Sequence, residues 1–169
     1  MKHLLFVFIC FPMTLLSQNW IQLGSDIDGE AAGDYFGRLF LSEDGNRLAV
    51  GAILNDGNGL DAGHVRVFNW DGATWIQLGQ DIDGEAAGDE SGFRMSLSTD
   101  GNIIAIGAKH NDGNGSSSGH VKVFSWDGST WIQLGQDIDG ANQWDQSGSS
   151  VSLSSDGSIL AVGSQSAAN

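Results

Sequence analysis

The amino-acid sequence predicts an all-β protein built from repeated units of four antiparallel strands, with β-propeller blades as the architecture. The stretch "WIQLGQDIDG" stands at 75–84 and again, letter for letter, at 131–140, and a copy at 20–29 differs only at Ser25. Asp-Gly pairs recur between runs that have the composition of strands. Apolar residues show no helical period over a useful length. Together these observations favour short strands and tight turns repeated along the chain.

The repeat covers far more than the tryptophan-containing stretch. Its copies begin at Trp20, Trp75 and Trp131, so the steps are 55 and 56 residues. Other pairs of matching segments are "DIDGEAAGD" at 26–34 and 81–89, "NDGNG" at 55–59 and 111–115, and "GHVRVFNWDG" at 63–72 with "GHVKVFSWDG" at 119–128. A period of this length is typical of blades, solenoid units or arrays.

The second unit, expected from about Gly88 to Gly140, shows how the strands are predicted in order. Strand one ends in "LS" before Asp100-Gly101, and strand two is "IIAIGA" after it. Strand three is "HVKVF" from His120, and strand four is "TWIQLG" after Asp127-Gly128. Asp-Gly readily supplies the positive φ that a two-residue hairpin turn requires, so each pair predicts a tight turn.

The second strand of a unit differs in composition from the fourth, and the difference indicates where each lies in the sheet. Strand two is apolar on both faces, which is typical of a strand covered on both sides. Strand four mixes tryptophan with glutamine and is expected nearer solvent. A propeller blade has such a buried inner strand and an outer strand at the rim. "WIQLGQDIDG" is therefore interpreted as the outer strand and the connection into the next unit.

These residues resemble the FG-GAP repeat of integrin-α-type β-propellers, and most closely its bacterial secreted version. In "GDYFGRLFLSEDGNRLAVGA", Phe36-Gly37 corresponds to the "FG" element and Gly51-Ala52 to the start of "GAP". The corresponding positions in the later copies are Ser91-Gly92 with Gly107-Ala108, and Gly148 with Gly163-Ser164. The resemblance covers residues 19–169 and implies a propeller that acts in binding or adhesion.

The chain departs from the family pattern at two places. The proline of "GAP" is replaced by Ile53, Lys109 and Gln165. The family's calcium sites lie in a long acidic loop between strands one and two, whereas this chain has only "SEDGN", "STDGN" or "SSDGS" there. Those calcium sites are therefore not carried over to this chain.

Residues 1–18 are predicted to be a signal peptide. Lys2 precedes an apolar run from Leu4 to Leu16, and a small residue, Ser17, follows. The alternative of a membrane anchor is disfavoured because that run is too short to span a bilayer comfortably. The expected location is secreted or cell-surface. Because Cys10 is the only cysteine, the mature protein is expected to have no disulfide bonds.

The formal net charge of −14 makes nucleic acid or an anionic membrane a poor partner. The connection between units and the "NDGNG" loop should emerge at one end of the sheets. Aspartates at alternating positions there suggest a hypothesis of Ca²⁺ binding by oxygen ligands. The alternative is that these side chains cap turns and add surface charge. The candidate ligands are Asp26, Asp28, Glu30, Asp34, Asp81, Asp83, Glu85, Asp89, Asp137 and Asp139.

His64 and His120 are expected to be surface residues of strand three rather than metal ligands, because one histidine per unit is far from a zinc site. No nucleophile elbow or zinc-binding histidine pair is present. The carboxylates repeat with the unit, whereas a catalytic pair needs two carboxyls of different pKa. The prediction is that the chain is not an enzyme.

The function favoured by the sequence is a secreted binding or adhesion module for an extracellular protein or glycan. The alternative is a propeller-type extracellular hydrolase or lyase acting on polysaccharide. The repeats amount to two full units and part of a third, while a seven-bladed ring of this period needs about 390 residues. The sequence is therefore expected to be a fragment that exposes apolar faces and associates with further blades of the same or another chain.

Overall fold

A computed structural model describes residues 20–166, and the predicted signal peptide at 1–18 lies outside this range. All regular elements among the described residues are strands. They are β1 (Phe36–Leu41), β2 (Arg47–Ala52), β3 (His64–Trp70), β4 (Trp75–Gln77), β5 (Ile82–Asp83), β6 (Arg94–Leu97), β7 (Ile103–Ala108), β8 (His120–Trp126), β9 (Trp131–Gln133), β10 (Ile138–Asp139), β11 (Ser147–Leu153) and β12 (Leu160–Ser164).

The strands form three antiparallel sheets that follow the sequence repeat. The first has the order β1-β2-β3-β4, and β5 also pairs with β3. The second repeats this arrangement with β6 to β10, and β11 pairs with β12 in the third. The all-β prediction and the antiparallel hairpin order are confirmed. The second unit lies within the predicted range of about 88 to 140.

The stretch "WIQLGQDIDG" forms two short strands rather than one strand and a free connection. In the first sheet β4 pairs with the end of β3, and β5 pairs with its beginning. The intervening residues turn away from β3 after Leu78, which still donates its amide to the Val67 carbonyl at 2.8 Å. The outer strand β4 and the short strand β5 in the connection therefore both pair with β3.

The Asp-Gly hairpin loops between the first and second strands of a unit are longer than the predicted two-residue turns. Between β1 and β2, the Ser42 amide donates to the Arg47 carbonyl at 2.8 Å, which leaves residues 43–46 as a four-residue loop. Only the glycine has a positive φ, 75° at Gly45. Asp44 instead accepts bonds from the Asn46 amide at 2.9 Å and the Ser42 hydroxyl at 2.6 Å. The aspartate acts through its side chain, so the two-residue prediction was wrong for the hairpins between the first and second strands.

The second strand of each complete unit is buried as predicted. Every residue of β7 after Ile103 is buried, and β2 is buried from Ala49 onwards. Ala49, Val65 and Val67 of the first sheet form one core with Met95, Ile104 and Ile106 of the second. The β1 strand differs from β6, because β6 lies between β1 and β11 while most of β1 is exposed.

Glycines allow neighbouring sheets to approach closely. A Cβ atom at Gly51 would lie 2.7 Å from the Gly92 carbonyl oxygen, and one at Gly107 would overlap the Gly148 carbonyl. Gly92 and Gly148 belong to the "FG"-like positions, with φ of 89° and 84°. The strand-two glycine of one unit therefore contacts the glycine that begins the next unit.

Candidate functional site

The candidate site is the end of the sheets opposite the Asp-Gly hairpins, here called the loop end. It comprises the connections between units and the loops between the second and third strands of a unit. Its segments are 26–35, 53–63, 81–93, 109–119 and 137–146. These segments hold all ten acidic residues that the sequence analysis singled out.

Hydrogen bonds fix the loop end as a frame that repeats from one unit to the next. The Asn55 side chain donates to Asp34 at 3.0 Å, and the Asn111 side chain donates to Asp89 at the same distance. Asp34 and Asp89 are buried. Asp89 also accepts the Ala86 amide at 3.1 Å. The carboxylates of Asp34 and Asp89 thus tie one loop to another, and the Asp89 carboxylate also caps the turn at Ala86.

Asparagines of the "NDGNG" loops fasten this frame to the following connection. Asn58 donates to the Gly84 carbonyl at 2.8 Å, and Asn114 donates to the Gly140 carbonyl at 2.8 Å. Because both bonds occur at equivalent positions, the two loops have the same conformation. Each loop of this frame is therefore hydrogen-bonded to the connection that follows it.

Two groups of side chains at the loop end each bring one histidine close to two carboxylates. The first histidine cluster contains Glu30, His64 and Asp81, and one ligand atom from each lies within 4.8 Å of the others. His64 Nδ1 is 3.4 Å from Asp81 Oδ2. The other Asp81 oxygen accepts the Gln77 amide at 2.7 Å, so the carboxylate is oriented with Oδ2 towards the histidine.

The second histidine cluster contains Glu85, His120 and Asp137 at the equivalent positions. His120 Nδ1 lies 3.9 Å from Glu85 Oε2 and 3.8 Å from Asp137 Oδ2. The Lys122 ammonium contacts Glu85 and lies 3.7 Å from Asp137 Oδ2. Burial, and secondarily the Lys122 charge, lower the pKa of His120, so its imidazole is neutral at pH 7.

Both cluster histidines are buried, with exposed fractions of 1% for His64 and 3% for His120. The expectation that they are surface residues was wrong. They stand at the first positions of β3 and β8, where β5 and β10 cover them. Alternation along the strand does not predict this burial, because the first five residues of β3 are buried on both faces.

The remaining predicted acidic residues are not part of either cluster. Asp26 accepts the Gln22 side chain at 2.8 Å, while Asp28, Asp83 and Asp139 are exposed. Within residues 20–166, the two histidine clusters are the groups of three possible metal-binding side chains. The structure thus brings Glu30 together with Asp81 and Glu85 together with Asp137, from consecutive copies of the repeat.

Trp144 is a residue of the loop end that the sequence analysis did not single out. It lies in the third copy, "ANQWD", at the position that Gly33 and Gly88 occupy in the earlier copies. Its φ is 68°, and 56% of its surface is exposed. Its amide donates to the Ser116 carbonyl at 2.7 Å, as the Gly88 amide donates to Leu60 at 2.8 Å. The backbone of the repeat therefore imposes a glycine-like conformation on an exposed tryptophan.

No protein-family model and no curated protein matches the chain. Within the described part of the chain, none of the elements is a helix long and apolar enough to cross a membrane.

Proposed function

We propose that this chain is a secreted or cell-surface β-propeller repeat protein whose loop end binds an extracellular glycan or protein. The observation that carries the proposal is Trp144, an exposed aromatic side chain held at a left-handed φ. A non-glycine residue in that region costs about 1–3 kcal/mol. Because the ring is exposed, its burial does not offset the cost of the backbone strain. Backbone strain of this kind is a pointer to function.

The surroundings of Trp144 support a binding role. Tryptophan is enriched among the residues that dominate the free energy of protein–protein binding. The exposed carboxylates of Asp83, Glu85 and Asp139 lie on the same loop end and can accept hydrogen bonds from hydroxyl or basic groups. A flat ring and hydrogen-bond acceptors on the same end of the sheets suit a sugar or a basic protein segment, and loops already held by hydrogen bonds lower the entropy that binding costs.

The propeller architecture is part of the proposal. Its support is the repetition of the first sheet by the second, the buried second strands and the close glycine contacts between successive sheets. Propeller blades are four-stranded sheets packed face to face around an axis. The loop ends of successive blades then lie on one surface of the molecule, where one ligand can contact several copies.

The experiment compares the wild-type chain with Trp144→Gly in binding to arrays of extracellular glycans and matrix proteins. This substitution restores the residue of the other copies, so it should relieve strain and raise the free energy of unfolding. We expect the same substitution to remove binding. A loss of binding together with a gain of stability separates recognition from folding.

A matched control is Trp126→Phe, which changes a tryptophan away from the loop end. Trp126 packs against Trp131 with ring centroids 5.4 Å apart. Its replacement by phenylalanine should leave binding unchanged. Full binding by the Trp144→Gly variant would contradict the proposal. Depolymerisation of a bound polysaccharide, abolished by replacing a single acid, would favour the hydrolase or lyase instead.

A further inference from the structure

We propose that the two histidine clusters are sites for a divalent transition metal of the zinc type, with His64 and His120 as the nitrogen ligands. The inference goes beyond the proposed binding function and does not depend on it. Each site combines an imidazole with two carboxylates that come from consecutive copies of the repeat. This ligand set suits Zn²⁺, Co²⁺ or Ni²⁺, whereas Ca²⁺ and Mg²⁺ prefer oxygen ligands alone.

An unpartnered buried nitrogen is the observation that distinguishes the clusters from surface acidity. His120 Nδ1 is buried, has no hydrogen-bond partner within residues 20–166, and faces the Glu85 and Asp137 carboxylates. A buried polar atom without a partner costs free energy, which a bound metal ion would recover. In the first cluster Nδ1 of His64 faces Asp81, and the buried nitrogen without a partner among residues 20–166 is the other one, Nε2, so this site is supported by its ligand set and its distances.

The distances are close to those of a zinc site. Two ligand atoms about 2.1 Å from a tetrahedral zinc ion lie about 3.4 Å apart. His64 Nδ1 and Asp81 Oδ2 are 3.4 Å apart, and the pairs around His120 are 3.8 and 3.9 Å apart. Glu30 and Glu85 are half-exposed, so their side chains have room to move inwards to a bound ion.

Side chains next to the clusters complete the usual surroundings of a metal ligand. Gln77 donates to Asp81 Oδ1, and Gln133 donates to Asp137 Oδ1, both at 2.7 Å. Hydrogen bonds of this kind orient ligating carboxylates, and their loss weakens metal binding. Three protein ligands leave a fourth position open to water, as in catalytic rather than structural zinc sites.

The basic residue beside each cluster makes the two sites unequal. In the first, the Arg66 guanidinium stacks 4.5 Å from the Phe36 ring centroid, donates to the Asp28 carbonyl at 2.6 Å, and lies 3.8 Å from Glu30. In the second, the Lys122 ammonium directly contacts Glu85. A metal ion at His120 must displace that ammonium, so the first cluster should bind more tightly.

The test is equilibrium dialysis of the full chain against Zn²⁺, with Co²⁺ absorption as the readout of coordination. We expect two equivalents per chain, matching the two clusters, and ligand-field bands of four-coordinate Co²⁺. His64→Ala and His120→Ala should each remove one equivalent, and the double variant should remove both. The matched control is His110→Ala, because His110 lies outside both clusters, 3.8 Å from Glu90.

Two further variants keep the test decisive if the histidine variants fail to fold. Glu30→Gln and Glu85→Gln change half-exposed side chains and should each weaken one equivalent without loss of structure. Lys122→Met should tighten the weaker equivalent. The proposal is overturned if Zn²⁺ does not bind, if both equivalents survive in the His64/His120 double variant, or if Ca²⁺ competes with Zn²⁺ at equal concentration.

Discussion

At the scale of single residues, the absence of a Cβ atom at certain glycines decides how closely two sheets can pack. Gly51 and Gly107 lie in the buried second strands, directly against backbone atoms of the next unit. A backbone carbonyl cannot rotate out of the way as a flexible side chain can. These positions therefore require glycine for space, and Gly92 and Gly148 require it both for space and for their positive φ.

Gly51→Ala should destabilise the chain by about 1–3 kcal/mol, the usual cost of inserting a methyl group into a well-packed contact. The new Cβ would stand 2.7 Å from the Gly92 carbonyl oxygen, so one sheet must shift relative to the other. Urea unfolding followed by tryptophan fluorescence measures the change. Gly45→Asn is the control, since its surroundings are open and asparagine tolerates its φ of 75°. Equal stability of wild type and Gly51→Ala would disprove the packing argument.

The sequence was sufficient to predict the buried second strands but not the arrangement of side chains at the loop end. Strand two could be predicted because its apolar character is local. The histidine clusters could not, because each combines segments that are distant along the chain, and pairing register decides which side chains meet. The strain at Trp144 is visible in the sequence only as a tryptophan aligned with Gly88, and its φ emerges from the Ser116 hydrogen bond.

At the scale of elements, the hairpin between the first two strands of each unit is stabilised by one charged side chain. In the second unit Asp100 accepts the Asn102 amide at 3.0 Å and the Ser98 hydroxyl at 2.7 Å. These bonds, the first of them most strongly, lower the pKa of Asp100 below its ordinary value. The same lowering occurs at Asp44 and takes the pKa of Asp156 to about 2.

Stability should fall as the pH drops below about 4, the ordinary pKa of aspartate in an unfolded chain. The unfolded state takes up a proton at Asp100 before the folded state does, so the contribution is full above that pH and disappears as pH falls through the folded-state pKa. Asp100→Asn should make the decrease between pH 5 and pH 2, about the range over which such groups titrate, shallower. Urea midpoints at each pH are the measurement. An unchanged pH profile in this variant would exclude Asp100 as a contributor.

The acidic connections between units allow a separate test of the calcium hypothesis. Ca²⁺ takes about 6–8 oxygen ligands, while Asp34 and Asp89 are buried and already accept bonds from the Asn55 and Asn111 side chains. We expect Ca²⁺ to raise the melting temperature no more than NaCl of equal ionic strength, because screening does not distinguish ions. A larger shift that disappears in the Asp81→Asn/Asp83→Asn variant would instead establish these loops as a calcium site.

At the scale of the whole molecule, apolar side chains beside the first sheet are exposed within the described range, residues 20–166. Leu39 of β1 is 69% exposed and lines a groove with Phe36, Val50 and Trp75. The equivalent strand β6 lies between two neighbours and is largely buried. Because the repeats have nearly the same sequence, the surface that covers β6 is of the kind that would suit β1.

The chain should therefore self-associate, and Leu39→Lys should raise the monomeric fraction without lowering stability. Charge in the groove opposes its burial against another sheet. Light scattering at several concentrations measures the association. Leu60→Lys is the control, because Leu60 is equally exposed but lies on a loop away from the groove. A compact monomer for the wild-type chain at all concentrations would contradict the prediction.

The hairpin turns of successive units are also joined, since the Asp44 amide donates to the Thr99 carbonyl at 3.4 Å and the Thr99 amide donates to the Ser155 carbonyl at 2.8 Å. Each unit thus contacts its immediate neighbours along the chain. In such an arrangement the stability of each unit depends on its own contacts and on its interfaces with the adjacent units. The central sheet, flanked on both sides, is then the last to open, and local unfolding begins at the outer sheets.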